Sequence, residues 1–213
     1  MLQLGLPIGV TYFAEVSAFG AVALLVARFG VVEQSAHQIA LNFSSLVFMV
    51  PLSLGIGMVT RVGQALGEGD VRRARAASWV GVALSLAFAV ASAAFIAIFR
   101  HEIAAAYTTD VAVRATCATL LLFAALFQLS DATQVAAACA IRGYKVTRGP
   151  MLIQLLAFWG FALPVGCLLG LWKEMAAAGF WIGLVLGLTI AAILLTAYLR
   201  TLSNSRVTEG KTA

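Results

Sequence analysis

Charge is what this chain has least of: Asp, Glu, Lys and Arg make up 11% of its 213 residues, while 62% are hydrophobic. A soluble domain carries roughly a quarter charged residues. The polar surface that water demands is missing, so lipid is the solvent this composition suits. Histidine is nearly absent, and His37 and His101 stand too far apart in sequence to form a ligand pair. Cys117, Cys139 and Cys167 lie within or at the ends of apolar runs, at spacings that match no metal motif. They read as small apolar packing residues. No basic segment with a cleavage site opens the chain, and its first apolar run is too long for a signal core and contains a Glu. That run reads as a true span. The net charge of +5 does not imply nucleic acid, because the basic residues gather in short loops rather than over one face.

Long apolar runs are what is present, and the mean hydropathy is +0.98. A spanning helix needs about 20 mostly apolar residues. Six segments qualify: 6–29, 36–59, 79–99, 112–139, 150–171 and 179–199. The expected fold class is all-α, a polytopic membrane protein built as a six-helix bundle over 1–202, followed by a polar, disordered tail at 203–213. Pro7 and Pro150 fit first-turn positions. Pro51 and Pro164 fall inside spans and should kink them.

The loops give a direction. Arg61, Arg72, Arg73, Arg75, Arg142, Lys145, Arg148, Arg200, Arg206 and Lys211 collect on one side; Arg28, Arg100, Arg114 and Lys173 lie on the other. Basic residues stay inside, so both termini are expected in the cytoplasm and the chain in the cell (inner) membrane. The segment 61–78, with GEGD at 67–70 and arginines after it, reads as a turn and then a basic amphipathic helix on the membrane surface. Gly179, Gly183 and Gly187 on the sixth span, and Gly166 and Gly170 on the fifth, have the spacing that lets helices approach closely in lipid.

Against this background two acids stand out. Glu15 lies in the first apolar run and Asp131 in the fourth. An ionised side chain at that depth costs several kcal/mol by roughly any scale, so it is seldom there without a partner and a purpose. Glu15 is nine residues past Leu6, roughly 14 Å from the inner edge, and Asp131 is eight before Cys139, roughly 12 Å from the same edge. The two share a depth. If they meet, they repel, and a bound Na⁺ or proton relieves the repulsion; carboxylate oxygens are hard ligands suited to such ions. Phe127 and Gln134 share the face of Asp131, and Thr11 and Tyr12 that of Glu15. Gln38, Asn42 and Ser45 form a polar stripe on the second span, fit either to line a cavity or to hold helices together. His37, at the outer end of that span, reads as an interfacial structural residue.

The same residues carry a resemblance. The blocks LGLPIGVTYFAEVSAF (4–19), HQIALNFSSLVFMVPLSLGIG (37–57), RVGQALGEGD (61–70), LLFAALFQLSDATQV (121–135) and IRGYKVTRGPM (141–151) resemble, in order, the carboxyl-terminal half of a multidrug and toxin extrusion (MATE) transporter of the NorM-like branch. The resemblance implies two six-helix lobes around a cavity that faces each side in turn. It implies export of cationic amphipathic drugs in exchange for Na⁺ or H⁺, with no further cofactor. Glu15 and Asp131 correspond to the family's acids on the first and fourth helices of this lobe. Where relatives often carry Tyr, this chain has Phe127, which keeps a ring face for cation–π contact without the hydroxyl. The cation site is thus expected at Glu15, Asp131 and Phe127, with Na⁺ held by Glu15 and Asp131 if sodium is the coupling ion. The drug cavity is expected at Tyr12, Gln38, Asn42, Ser45 and Gln134. One lobe has nothing to rock against, so an amino-terminal lobe is the expected partner, beside the bilayer and the drug.

Two other readings compete. An intramembrane enzyme could use a pair of acids, but Asp131 is followed by Ala132 and Thr133, and no HExxH, GxSxG or Asp-rich motif occurs. The other reading is a subunit of a split pump, or a remnant without independent transport.

Overall fold

A computed structural model describes the backbone of residues 2–212 and the side chains of residues 5–208. The chain folds into helices joined by short turns: α1 (Leu2–Val26), α2 (Val31–Gly67), α3 (Val71–Tyr107), α4 (Val111–Gly143), α5 (Arg148–Leu155), α6 (Leu163–Cys167) and α7 (Ala176–Thr212). A 3₁₀ turn, Ala27–Phe29, closes α1, and π-helical segments, Leu156–Ala162 and Leu168–Trp172, follow α5 and α6. The stretch Arg148–Trp172 is therefore one continuous fifth span. Six helices are long and apolar enough to cross a membrane, and the all-α, multi-pass architecture expected above stands.

Turn chemistry explains where the long helices stop. Gly69 takes φ 79° and Gly30 φ 102°, conformations that suit glycine. The Asp70 carboxylate accepts the Arg73 amide at 2.9 Å, and that of Asp110 accepts the amides of Ala112 and Val113 at 2.8 and 3.1 Å. Each acid thereby satisfies orphan donors at a helix start.

The core is organised around α4, which packs against α2, α3 and α7. Its inward surface is small: Ala124, Ala132, Ala136, Ala137 and Ala140 are all fully buried. Small residues let backbones come close where lipid supplies no hydrophobic drive between helices. A Cβ on Gly55 of α2 would lie 2.8 Å from Cys139 Sγ, and one on Gly143 would lie 2.7 Å from Val62 Cβ. The glycines of α7 close on the fifth span: a Cβ at Gly183 would stand 2.5 Å from the Ala162 carbonyl oxygen and 2.6 Å from Gly166 N. The glycine stripes are thus spent on intramolecular packing. By contrast α1 packs chiefly on α5, and its backbone stays apart from that of α4.

Four expectations are corrected. The segment 61–78 holds no separate surface helix: α2 runs on to Gly67, and the arginines belong to the first turns of α3. Once formed, a helix continues past the apolar boundary as long as no residue breaks it. For the same reason 203–212 is helical and not a disordered tail; Ser203 is fully buried and its hydroxyl donates to the Arg200 carbonyl at 3.2 Å. The side chains of 209–213, Lys211 included, lie outside the described residues. Pro7 sits inside α1 rather than in its first turn, and α2 stays α-helical through Pro51. The irregular backbone is elsewhere. Phe99 (φ −98°, ψ 17°) interrupts α3 where its apolar run ends. At Pro164 the missing N–H cannot reach the carbonyl four residues back, and the preceding turns widen into the π segment. His37 does play a structural part: it is fully buried, and its Nδ1 accepts the Trp181 indole N–H at 3.2 Å.

Candidate functional site

Between α1, α2 and α4 lies a cavity of about 310 Å³. Glu15 and Asp131 both line it, so the structure brings together the two acids that the sequence placed at one depth. Helix α1 contributes Tyr12, Val16 and Phe19 beside Glu15; α2 contributes Leu41, Ser44, Ser45 and Phe48; α4 contributes Phe127 beside Asp131. The walls are mostly apolar and aromatic, with a few convergent oxygen atoms, the usual makeup of a small-molecule site.

Each acid has its own surroundings. Asp131 is 4% exposed and accepts from Gln134 Nε2 at 3.4 Å. Gln134 in turn accepts from Gln154 Nε2 at 3.0 Å, which ties α4 to α5 behind the cavity. Glu15 opens onto a second, much smaller space of about 10 Å³, shared with Tyr12, Arg142 and Gln154. Arg142 reaches up from the end of α4: its Nη1 donates to the Tyr12 hydroxyl at 3.2 Å, and its guanidinium carbon lies 5.2 Å from the centre of the Tyr12 ring. Ser44 Oγ is buried in the cavity wall without a hydrogen-bond partner.

Phe127 is held edge-on by Phe19 (5.9 Å, 74°) and by Trp181 (5.7 Å, 77°). Trp181 is fixed by His37, so this frame crosses the bundle from α1 to α7. Trp159, in the π segment, donates its indole N–H to the Ala14 carbonyl at 3.1 Å and braces α1 next to Glu15.

Of the other residues expected at the drug cavity, Tyr12 and Ser45 line it. Gln134 does not: it is fully buried behind Asp131. Gln38 and Asn42 do not line it either; both lie on the exposed side of α2, where Asn42 accepts the Tyr107 hydroxyl at 3.1 Å. One residue along a helix is a turn of about 100°, and the buried polar residues of α2 are His37 and Ser44, seven apart, not the stripe read from the sequence. The sequence reading missed Ser44, Gln154 and Arg142. Arg142 counted there as a loop charge; only its long side chain brings it to the site.

This architecture defines a multi-pass helical membrane protein with an acid-lined cavity inside its bundle. The chain belongs to the MatE family, whose family model matches residues 7–168. It is 50% identical over 199 residues to the multidrug resistance protein PmpM of Pseudomonas aeruginosa, covering 92% of this chain and 42% of that protein. It is 47% identical over 210 residues to the probable multidrug resistance protein NorM of Chromobacterium violaceum, covering 97% of this chain and 45% of that one. The chain thus spans less than half the length of these curated relatives. Among solved structures it is similar to a MATE protein in its bent conformation (TM-score 0.91, 16% identity, 99% of this chain and 46% of that one). A eukaryotic MATE transporter matches with a TM-score of 0.88 at 22% identity, over 98% of this chain and 48% of that one. These structural likenesses speak to fold.

Proposed function

We propose that this chain is the carboxyl-terminal lobe of a cation-coupled multidrug efflux antiporter, seated in the inner membrane with both termini in the cytoplasm. The observation that carries the reading is the meeting of Glu15 and Asp131 in one cavity, which Phe127 also lines. Two like charges in a mostly apolar chamber repel, and a small cation or a proton between them removes the penalty. The oxygen set fits Na⁺: two carboxylates plus the unpartnered Ser44 hydroxyl are hard donors. It serves H⁺ equally, since one carboxyl can carry the proton and donate to the other. Tyr12, Ser45 and the ring faces supply the wall for a cationic amphipathic drug. Drug and ion then compete for the same negative charge, which is the elementary requirement of exchange. The orientation rests on the loop charges read from the sequence, ten basic residues on one expected side against four on the other.

A second reading is favoured by the length match of 42–45% with the curated relatives: the chain works only with an amino-terminal lobe. The test is drug accumulation in a pump-deficient host that expresses this chain together with the amino-terminal half of a relative. Ion-gradient-dependent export is expected from the pair, with Glu15→Gln and Asp131→Asn each abolishing it while membrane insertion persists. Undiminished export by both variants would sink the ion-site reading. Export by this chain alone would remove the need for a partner.

A further inference from the structure

We propose that the cleft between the start of α3 and the end of α7 binds the headgroup of an anionic phospholipid. The cleft holds about 340 Å³ and is lined by Arg72, Arg75, Ala76 and Trp79 of α3 and by Val207 of α7. Its second wall exists because α7 continues as a helix beyond the membrane run. Residues 72, 75, 76 and 79 fall at i, i+3, i+4 and i+7, one face of the helix.

Arg73, one position round the helix, is taken up by Glu68 at 2.7 Å. Arg72 and Arg75 form no ion pair among the described residues, and both are exposed. Two guanidinium groups without an ion pair among the described residues, each able to grip phosphate oxygens in bidentate fashion, converge on one cleft.

The vertical order matches a lipid. Trp79 is half-buried where the third apolar run begins, the level at which indole rings favour the membrane–water boundary. Arg75 and Arg72 stand roughly 6 and 10 Å further out along the helix axis, at phosphate depth. In the other direction the same face continues through Leu86 and Val90, 41% and 55% exposed, a track for acyl chains. A free phosphate would have no use for Trp79, Val207 and that track. A zwitterionic headgroup would bring its own ammonium against the two arginines. Basic clefts at the helix ends of membrane proteins are suited to such headgroups. The site lies away from the Glu15–Asp131 cavity and stands whether or not the chain transports.

The full chain, purified in a neutral maltoside detergent and offered equal amounts of phosphatidylglycerol and phosphatidylcholine with identical acyl chains, tests this by native mass spectrometry. Phosphatidylglycerol is expected to be retained preferentially. Arg72→Gln and Arg75→Gln should each lower its retention about fivefold and the pair more, while the Lys pair keeps most of it. Should the double Gln variant fail to fold, the single variants and the Lys pair decide. Equal retention of the two lipids, unchanged retention in the Gln variants, or displacement of the lipid by millimolar inorganic phosphate would each overturn the proposal.

Discussion

Phe127 shows what a single residue does at the proposed ion site. Its ring forms part of the cavity wall and is clamped edge-on between Phe19 and Trp181. Phe127→Ala should lower the unfolding free energy by about 3 kcal/mol, the cost of an uncollapsed aromatic hole, and a thermal unfolding series in detergent would check it. Arg142 carries the same sign of charge as an arriving cation and opposes it, since it shares a small space with Glu15. If Glu15 binds the coupling ion, Arg142→Gln should tighten apparent ion affinity about fivefold, roughly the 1 kcal/mol that a nearby unit charge supplies in a wet site. Ion-titrated exchange in vesicles would reveal it, and unchanged affinity would show that Tyr12 alone engages the guanidinium. Glu15 and Asp131 were legible in the sequence because a carboxylate in an apolar run has no cheap explanation. Arg142 was not, because a charge beside a loop looks the same whether its side chain points to water or back into the bundle.

At the scale of elements, the close fit between α7 and the fifth span depends on hydrogen in place of methyl. Gly183→Ala puts a Cβ against the Ala162 carbonyl oxygen and the Gly166 amide, both backbone atoms that cannot swing aside. It should destabilise by about 1–3 kcal/mol. Gly20→Ala on α1 meets nothing within 4 Å and serves as the control, with the small gain typical of alanine in a helix. Thermal melts of the two variants side by side would check the contrast; equal melting temperatures would remove the packing argument. All six spans could be read from the sequence, since hydropathy marks the lipid-facing length. Their true ends could not: α2 and α3 extend well past the apolar runs because hydrogen bonding and caps, not hydropathy, end a helix. The π segments around Pro164 were equally hidden, for in a run apolar on every side no periodicity marks the change of register.

For the molecule as a whole, the decisive fact is how unequally its helices are embedded. Helix α4 is enclosed by α2, α3 and α7, while α1 is fastened mainly to α5 and reaches α4 through the side chains of Phe19 and Tyr12. The proposed ion site therefore works as a jaw, with Asp131 on the anvil and Glu15 on the moving side. Its gape is set by what fills it and by two side-chain contacts across it, Phe19 on Phe127 and Tyr12 on Arg142. Spin labels at the exposed Phe13 of α1 and the exposed Leu122 of α4 should report a separation that narrows when the coupling ion is added, by electron–electron resonance in the assembled transporter. A spacing indifferent to the ion would mean that α1 is riveted to the rest by contacts that only the complete assembly supplies.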